Sequence, residues 1–211
     1  MNHDIEKALR GAVPTARGAS DALAARFLRR AADEGLLDVA YAHVDSPLGP
    51  LLAATTERGL VRLSYLGFRD EDATLQKLAD DVSPRVLEAP ARLDPVRREL
   101  DEYFEGKRSE FDLAIDWSPM KDFQRRILEA TVAIPFGAHA SYGEVAQRAG
   151  NPRAFRAAGT ALGRNPIPIV IPCHRVWAAG GKLGGYTGGL ERKRALLELE
   201  GALPGELAVG S

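Results

Sequence analysis

Eight residues constrain this chain more than any others. Asn165-Pro166-Ile167-Pro168-Ile169-Val170-Ile171-Pro172 carries prolines at 166, 168 and 172. Proline lacks the N–H that a helix interior or a central strand needs, so the segment belongs to neither. Its isoleucines and valine imply burial, so an extended apolar wall is expected. The wall delivers Cys173, the single cysteine in 211 residues. One cysteine excludes an internal disulfide and any multi-cysteine zinc site, and a reducing cytoplasm is the default compartment. No apolar run reaches the roughly 18 residues of a membrane span, and the charged start Met1-Asn2-His3-Asp4 lacks the apolar core of a signal peptide.

A lone cysteine is usually a small buried hydrophobe, and a thiol in apolar surroundings stays protonated and inert. His174 changes that reading, because an adjacent imidazole can take the proton. A carboxylate elsewhere in the chain would then orient the imidazole. Charge adds a second pointer. The net of −1, taken alone, argues against a polyanion. Split by position, residues 1–117 carry 16 Lys+Arg and 22 Asp+Glu, a net of −6, and residues 140–195 carry 9 and 2, a net of +7. Such asymmetry suits an anionic partner for the second half.

Periodicity divides the chain. Ala22 to Ala32 reads as an amphipathic helix capped by Ser20 or Asp21 and closed by Gly35. Val39 to Val44, Leu51 to Thr55 and Leu60 to Tyr65 read as strands joined by short turns, an antiparallel meander. Helices are expected at Asp72 to Ala79 and Pro95 to Phe104, and a final short strand at Phe111 to Leu113. In the second half Asp122 to Val132 is helical. Ser141-Tyr142-Gly143-Glu144 is a capping box for a short helix ending at Gly150. Asn151, with Pro152 behind it, is expected to cap a helix from Arg153 to about Gly163. Helix, break, short helix, turn and helix resembles a helix-turn-helix element. The fold class expected is α+β, in four parts: a helical arm at 1–36, a small α+β domain at 37–117, a helical domain at 118–203 and a tail at 204–211.

Pro172-Cys173-His174-Arg175-Val176 resembles the active-site motif of the O6-alkylguanine-DNA alkyltransferases (methylated-DNA–protein-cysteine methyltransferases). The resemblance runs without a gap over roughly Ser141 to Gly201. It includes Ser141-Tyr142-Gly143, Asn151-Pro152-Arg153, Arg156-Ala157-Ala158-Gly159, Asn165-Pro166-Ile167-Pro168, Gly185-Tyr186-Thr187-Gly188-Gly189-Leu190 and Leu199-Glu200-Gly201. It is weaker from about Asp45 to Trp117. It implies a ribonuclease H-like N-terminal domain with an antiparallel sheet, and a winged-helix-like C-terminal domain holding the helix-turn-helix.

The resemblance also implies roles. Cys173 would take the alkyl group in one displacement and keep it. His174 would receive its proton through water, and Glu200 would orient His174. Tyr142 would donate toward the leaving guanine, and the Thr187 backbone would donate to its oxygen. Val176 and the Cys173 carbonyl would read the exocyclic amine, Leu162 and Tyr186 would line the alkyl pocket, and Lys193 would sit near the site. Arg156 would fill the stack after the base is flipped out. Arg153 supplies charge beside it. Ala157, Ala158, Gly159 and Ala161 would let the second helix approach the minor groove, and Asn165 would tie that helix to the active-site turn. No cofactor is implied. Structural zinc, held in some relatives by the N-terminal half, is not expected where that half offers only His3 and His43. The partner would be duplex DNA carrying O6-alkylguanine, met by a monomer. Alkyl size and activity on O4-alkylthymine stay open. The competing readings are a non-catalytic lesion-binding protein and, further off, a cysteine hydrolase.

Overall fold

The computed structural model describes residues 37–67 and 70–203, with positions 23, 26, 30 and 35 described singly. The helix expected over 22–32 therefore lies mostly outside the described residues, as does the tail from 204. From Val39 onward the described residues form one compact unit. Among them no helix is long and apolar enough to cross a membrane.

The meander is present. Strands β1 (Val39–Val44), β2 (Leu51–Thr56) and β3 (Gly59–Tyr65) pair antiparallel in sequence order. Leu51, Leu52, Ala53 and Ala54 are all buried, so both faces of the central strand are covered. Leu52 and Ala54 pack with Val39, Val61 and Leu78 of helix α1 (Glu71–Asp81). Strand β4 (Val86–Glu88) lies parallel to β1 at the sheet's edge. It escaped the sequence reading because three residues show no period. The strand expected at Phe111–Leu113 is absent. Phe111 packs instead on the Tyr103 ring, with ring centroids 5.2 Å apart, and only Ile115 bridges to Leu60. Helix α2 (Asp94–Phe104) starts with Pro95 in its first turn and buries Val96, Glu99, Leu100 and Tyr103, one stripe at helical spacing.

Gly59 opens β3 at φ +132°, and a Cβ there would lie 2.3 Å from the Ala114 carbonyl oxygen. That carbonyl receives the Leu60 N–H at 2.8 Å. Gly59→Ala is therefore expected to cost more than about 1 kcal/mol, since both the dihedral and the close approach oppose a side chain. A lowered urea midpoint checks it, and an unchanged midpoint would refute it.

In the second half, helices α3 (Asp122–Val132), α4 (Tyr142–Arg148) and α5 (Phe155–Gly163) pack on one another. Ser141 and Glu144 form the expected capping box at the start of α4, the two bonds being 3.2 Å and 2.6 Å. The α5 boundary differs from expectation. Asn151 does not cap it. Residues 151–154 form a turn closed by the Ala154 N–H on the Asn151 carbonyl at 2.9 Å, and the helix starts at Phe155. Strands β5 (Ala140–Ser141) and β6 (Val176–Trp177) pair in parallel, and helix α6 (Leu190–Leu199) follows.

The proline-rich segment is buried as expected, with Ile167, Ile169, Val170 and Ile171 all in the core. It is not extended throughout. The Ile171 N–H closes on the Ile167 carbonyl at 2.9 Å, and Ile169 sits at φ +75°. Prolines 166, 168 and 172 have no N–H to donate, and the Pro166 carbonyl receives the Leu63 N–H of β3 at 2.9 Å. The buried Asn165 amide serves the rest of the turn, accepting from the Ile167 N–H at 3.0 Å and donating to the Ile171 carbonyl at 2.9 Å. A β-branched residue in the left-handed region is strained. It persists because the contacts around it fix the turn.

Candidate active site

Cys173 opens a single 3₁₀ turn, Cys173–Arg175, directly after this segment. Its side chain forms part of the wall of a cavity of about 300 Å³, the lower end of the range for small-ligand sites. Five residues expected at the site line that cavity together: Tyr142, Leu162, Cys173, Tyr186 and Thr187. Glycines at 159, 163 and 185 complete it. Cys173 is nearly closed off, with 6% of its surface exposed. Burial pushes the thiol up to about 11, against the pull of the Asn165 amide and the Lys193 ammonium. Asn165 Nδ2 lies 3.2 Å from Sγ. At rest this sulfur is a protonated thiol, and it needs a base.

His174 is buried completely. Its Nε2 is 2.9 Å from Glu200 Oε1, so a carboxylate fixes one nitrogen and leaves Nδ1 to accept. Among the described residues Nδ1, although buried, has no hydrogen-bond partner. Leaving such a nitrogen unpaired costs stability, and it leaves a lone pair open to a proton. Burial also lowers the pKa of His174, with Glu200 opposing, so the imidazole rests neutral. Burial works against the charge on Glu200, yet donation from His174 and Arg175 outweighs it and holds the carboxyl at about 2.

Two residues of this network were not singled out from the sequence. Arg175 forks onto Glu200, Nε to Oε2 and Nη2 to Oε1, each at 2.9 Å, and Nη1 donates to the Ile134 carbonyl at 2.6 Å. Tyr103, from α2, donates its hydroxyl to Oε1 at 2.7 Å. The only sequence signal for Tyr103 is its place on the buried stripe of α2, where a hydroxyl must find a partner.

The first half also braces the pocket loop. The Tyr65 and Tyr186 hydroxyls lie 3.0 Å apart. Arg192 stands over the Tyr65 ring at 4.7 Å and donates to the Leu48 and Gly188 carbonyls. A Cβ on Gly188 would come within 2.6 Å of the Tyr65 ring, so only glycine permits this approach.

Val176, Lys193, Ala158 and Asn165 are buried and lie outside the cavity wall. Val176 is fully buried, and its carbonyl receives Lys193 Nζ at 2.7 Å. Lys193, which burial lowers to about 8, also donates to the Leu183 carbonyl. Lys193 thus ties α6 to the backbone at two points ahead of the pocket loop. Asn165 ties the end of α5 to the turn of Cys173, its amide donating to the Ile171 carbonyl and reaching Sγ. At 100° per residue, α5 turns Ala158, Ala161 and Leu162 inward, so the small size of Ala158 and Ala161 serves packing. Arg153, Arg156 and Ala157 remain exposed. Gly159 lines the cavity and lies against the Tyr142 ring, its would-be Cβ 3.7 Å away. Phe155, itself half exposed, carries the Arg156 guanidinium 5.6 Å from its ring centroid.

Comparison with known proteins covers both halves. The ribonuclease-like domain of 6-O-methylguanine DNA methyltransferase matches residues 39–117, and its DNA binding domain matches residues 122–202. A methylated-DNA–protein-cysteine methyltransferase of Mycobacterium tuberculosis is 43% identical over 160 residues, 76% of this chain and 91% of the relative. One from Methanosarcina barkeri is 40% identical over 161 residues, 76% of this chain and 96% of the relative. The crystal structure of Mycobacterium tuberculosis OGT in complex with DNA superposes with a TM-score of 0.66 at 41% identity, covering 77% of this chain and 93% of that one.

Proposed function

Since the chain belongs to the 6-O-methylguanine DNA methyltransferase family, we propose that Cys173 takes the alkyl group from O6-alkylguanine in duplex DNA and keeps it. One observation carries the assignment to this residue. The only thiol in the chain stands in a cavity wall, and its neighbour is a neutral histidine whose Nε2 is held by a charged carboxylate.

The steps follow from these groups. The thiol proton passes to His174 Nδ1, directly or through water, and Glu200 stabilises the imidazolium that forms. The thiolate sulfur bonds to the alkyl carbon as the carbon–oxygen bond breaks, and the electron pair leaves on guanine. The Tyr142 hydroxyl and the Thr187 N–H, both from residues of the cavity wall, donate to that developing anion. The lesion can reach the cavity only when flipped from the stack. Arg156, exposed on α5, is suited to fill the gap from the minor groove, and Arg153 to meet phosphate. All these groups come from one chain, so a monomer carries a complete site. A reducing cytoplasm keeps the thiol usable. The product is a thioether, and no residue in the site can cleave it, so each molecule acts once.

Incubation with duplex carrying labelled O6-methylguanine is expected to move at most one label onto each protein, at Cys173. Cys173→Ala is expected to take none. Continued turnover, or label on the alanine variant, would overturn the reaction. Binding to the lesion with no mass shift would instead leave a lesion-binding protein.

A further inference from the structure

Glu200 meets donors from two sides. His174 and Arg175 come from the turn that carries Cys173. Tyr103 comes from α2, in the other half, and reaches the same Oε1 that His174 uses. Tyr103 is fully buried, and Phe104, Phe111 and Phe136 hold its ring at 5.4, 5.2 and 6.1 Å between centroids. It lines no part of the cavity. Its hydroxyl therefore acts on the reaction only through the carboxylate.

We propose that Tyr103 is a positioning residue that, by sharing Oε1 of Glu200 with His174, restrains the imidazole's basicity and keeps Cys173 a thiol until a guanine is seated. The inference rests on reading Cys173 as the alkyl acceptor. Arg175 Nη2 also donates to Oε1, and an oxygen that accepts three donors holds each less tightly than one that accepts two. With Tyr103 in place, Glu200 polarises the His174 N–H less, and Nδ1 is the weaker base. The other charged and titratable groups facing this pair are Arg175 and Lys193, which disfavour a second positive charge, and the Cys173 thiol itself. The Tyr186 ring stands edge-on to His174 at 6.4 Å, with Tyr65 behind it. Tyr103 is a constant donor, since burial and Glu200 push its own ionisation far above the working range. A protein that acts once gains from such restraint. A resting thiolate would be lost to any stray electrophile.

Tyr103→Phe removes the hydroxyl and keeps the ring. The probe is methyl iodide with the full-length protein, and methylation of Cys173 is read by peptide mass. In this reaction the thiolate sulfur displaces iodide and His174 holds the released proton. Near neutral pH the variant is expected to react about threefold faster than the wild type, the factor for half a pKa unit. The gain shrinks in alkaline buffer, where the thiol ionises without the imidazole. A site that is merely loosened reacts faster by one factor at every pH, and Leu100→Ala, one turn earlier on α2, supplies that comparison. An equal or slower rate for Tyr103→Phe, or a factor constant with pH, would overturn the proposal. Methyl iodide needs neither DNA nor guanine. A wild type that ignores labelled duplex would remove the repair reading and leave the methyl iodide profile to judge Tyr103.

Discussion

Arg175→Ala is expected to lower the stability of the whole fold by about 3–5 kcal/mol, the cost of stripping a buried charge of its partner. The Glu200 side chain has no exposed surface, and that of Arg175 has 7%. The two share a forked pair of hydrogen bonds, and the third guanidinium nitrogen closes the end of α3 through Ile134. Alanine leaves the carboxylate with His174, Tyr103 and a long contact from the Gly137 N–H at 3.4 Å. Lysine at 175 recovers only part of the loss, because an ammonium cannot fork. Urea unfolding measures the change. A loss below about 1 kcal/mol would place the pair with exposed ion pairs and contradict its burial.

Acid titration adds a signature with a definite sign. Glu200 sits at about 2 when folded, below the roughly 4.3 of a free glutamate. Its contribution is therefore complete above the unfolded value and is lost as pH falls from there toward the folded value. In Arg175→Ala the folded carboxyl titrates higher, so the acid-side loss still begins near the unfolded value but is complete at a higher pH and spans a narrower window.

The second large effect concerns DNA alone. Arg156→Ala is expected to slow repair in duplex by about 100-fold, equivalent to the few kcal/mol of unstacking that the side chain would offset. Transfer from the free O6-methylguanine base is expected to continue at the wild-type rate. Arg156 is exposed and takes no part in the cavity wall, so removing it leaves the reacting groups in place. Equal loss in both assays would show that Arg156 does not act on the duplex.

The residues that announced themselves in the sequence did so through local rules. Alternation placed β1, β2 and β3. Ser141 and Glu144 marked the start of α4. Proline density and a lone thiol marked the wall beneath the cavity. Where the sequence reading failed, the cause was non-local. Strand β4 is too short to show a period and exists because Val39, Ala40 and Tyr41 pair with it. The start of α5 moved because the turn at 151–154 closes on itself before the helix begins. The segment from Asn165 bends because a side chain supplies the hydrogen bonds that its prolines cannot. Tyr103 lies 97 positions from Glu200, and no spacing rule spans that distance. Arg175 was visible in the motif next to His174, but its burial was not, since an arginine is usually expected at a solvated surface.

The family's two domain matches, 39–117 and 122–202, leave only a few residues between them. On paper they look like separable modules. Tyr65, Tyr103 and the Leu48 carbonyl say otherwise, because each comes from the first stretch and grips a group in the second. Such halves have to be inherited together. A recombination event that exchanged one of them with a distant relative would carry over the thiol and its histidine intact. It would also give their carboxylate and pocket loop a stranger as a neighbour.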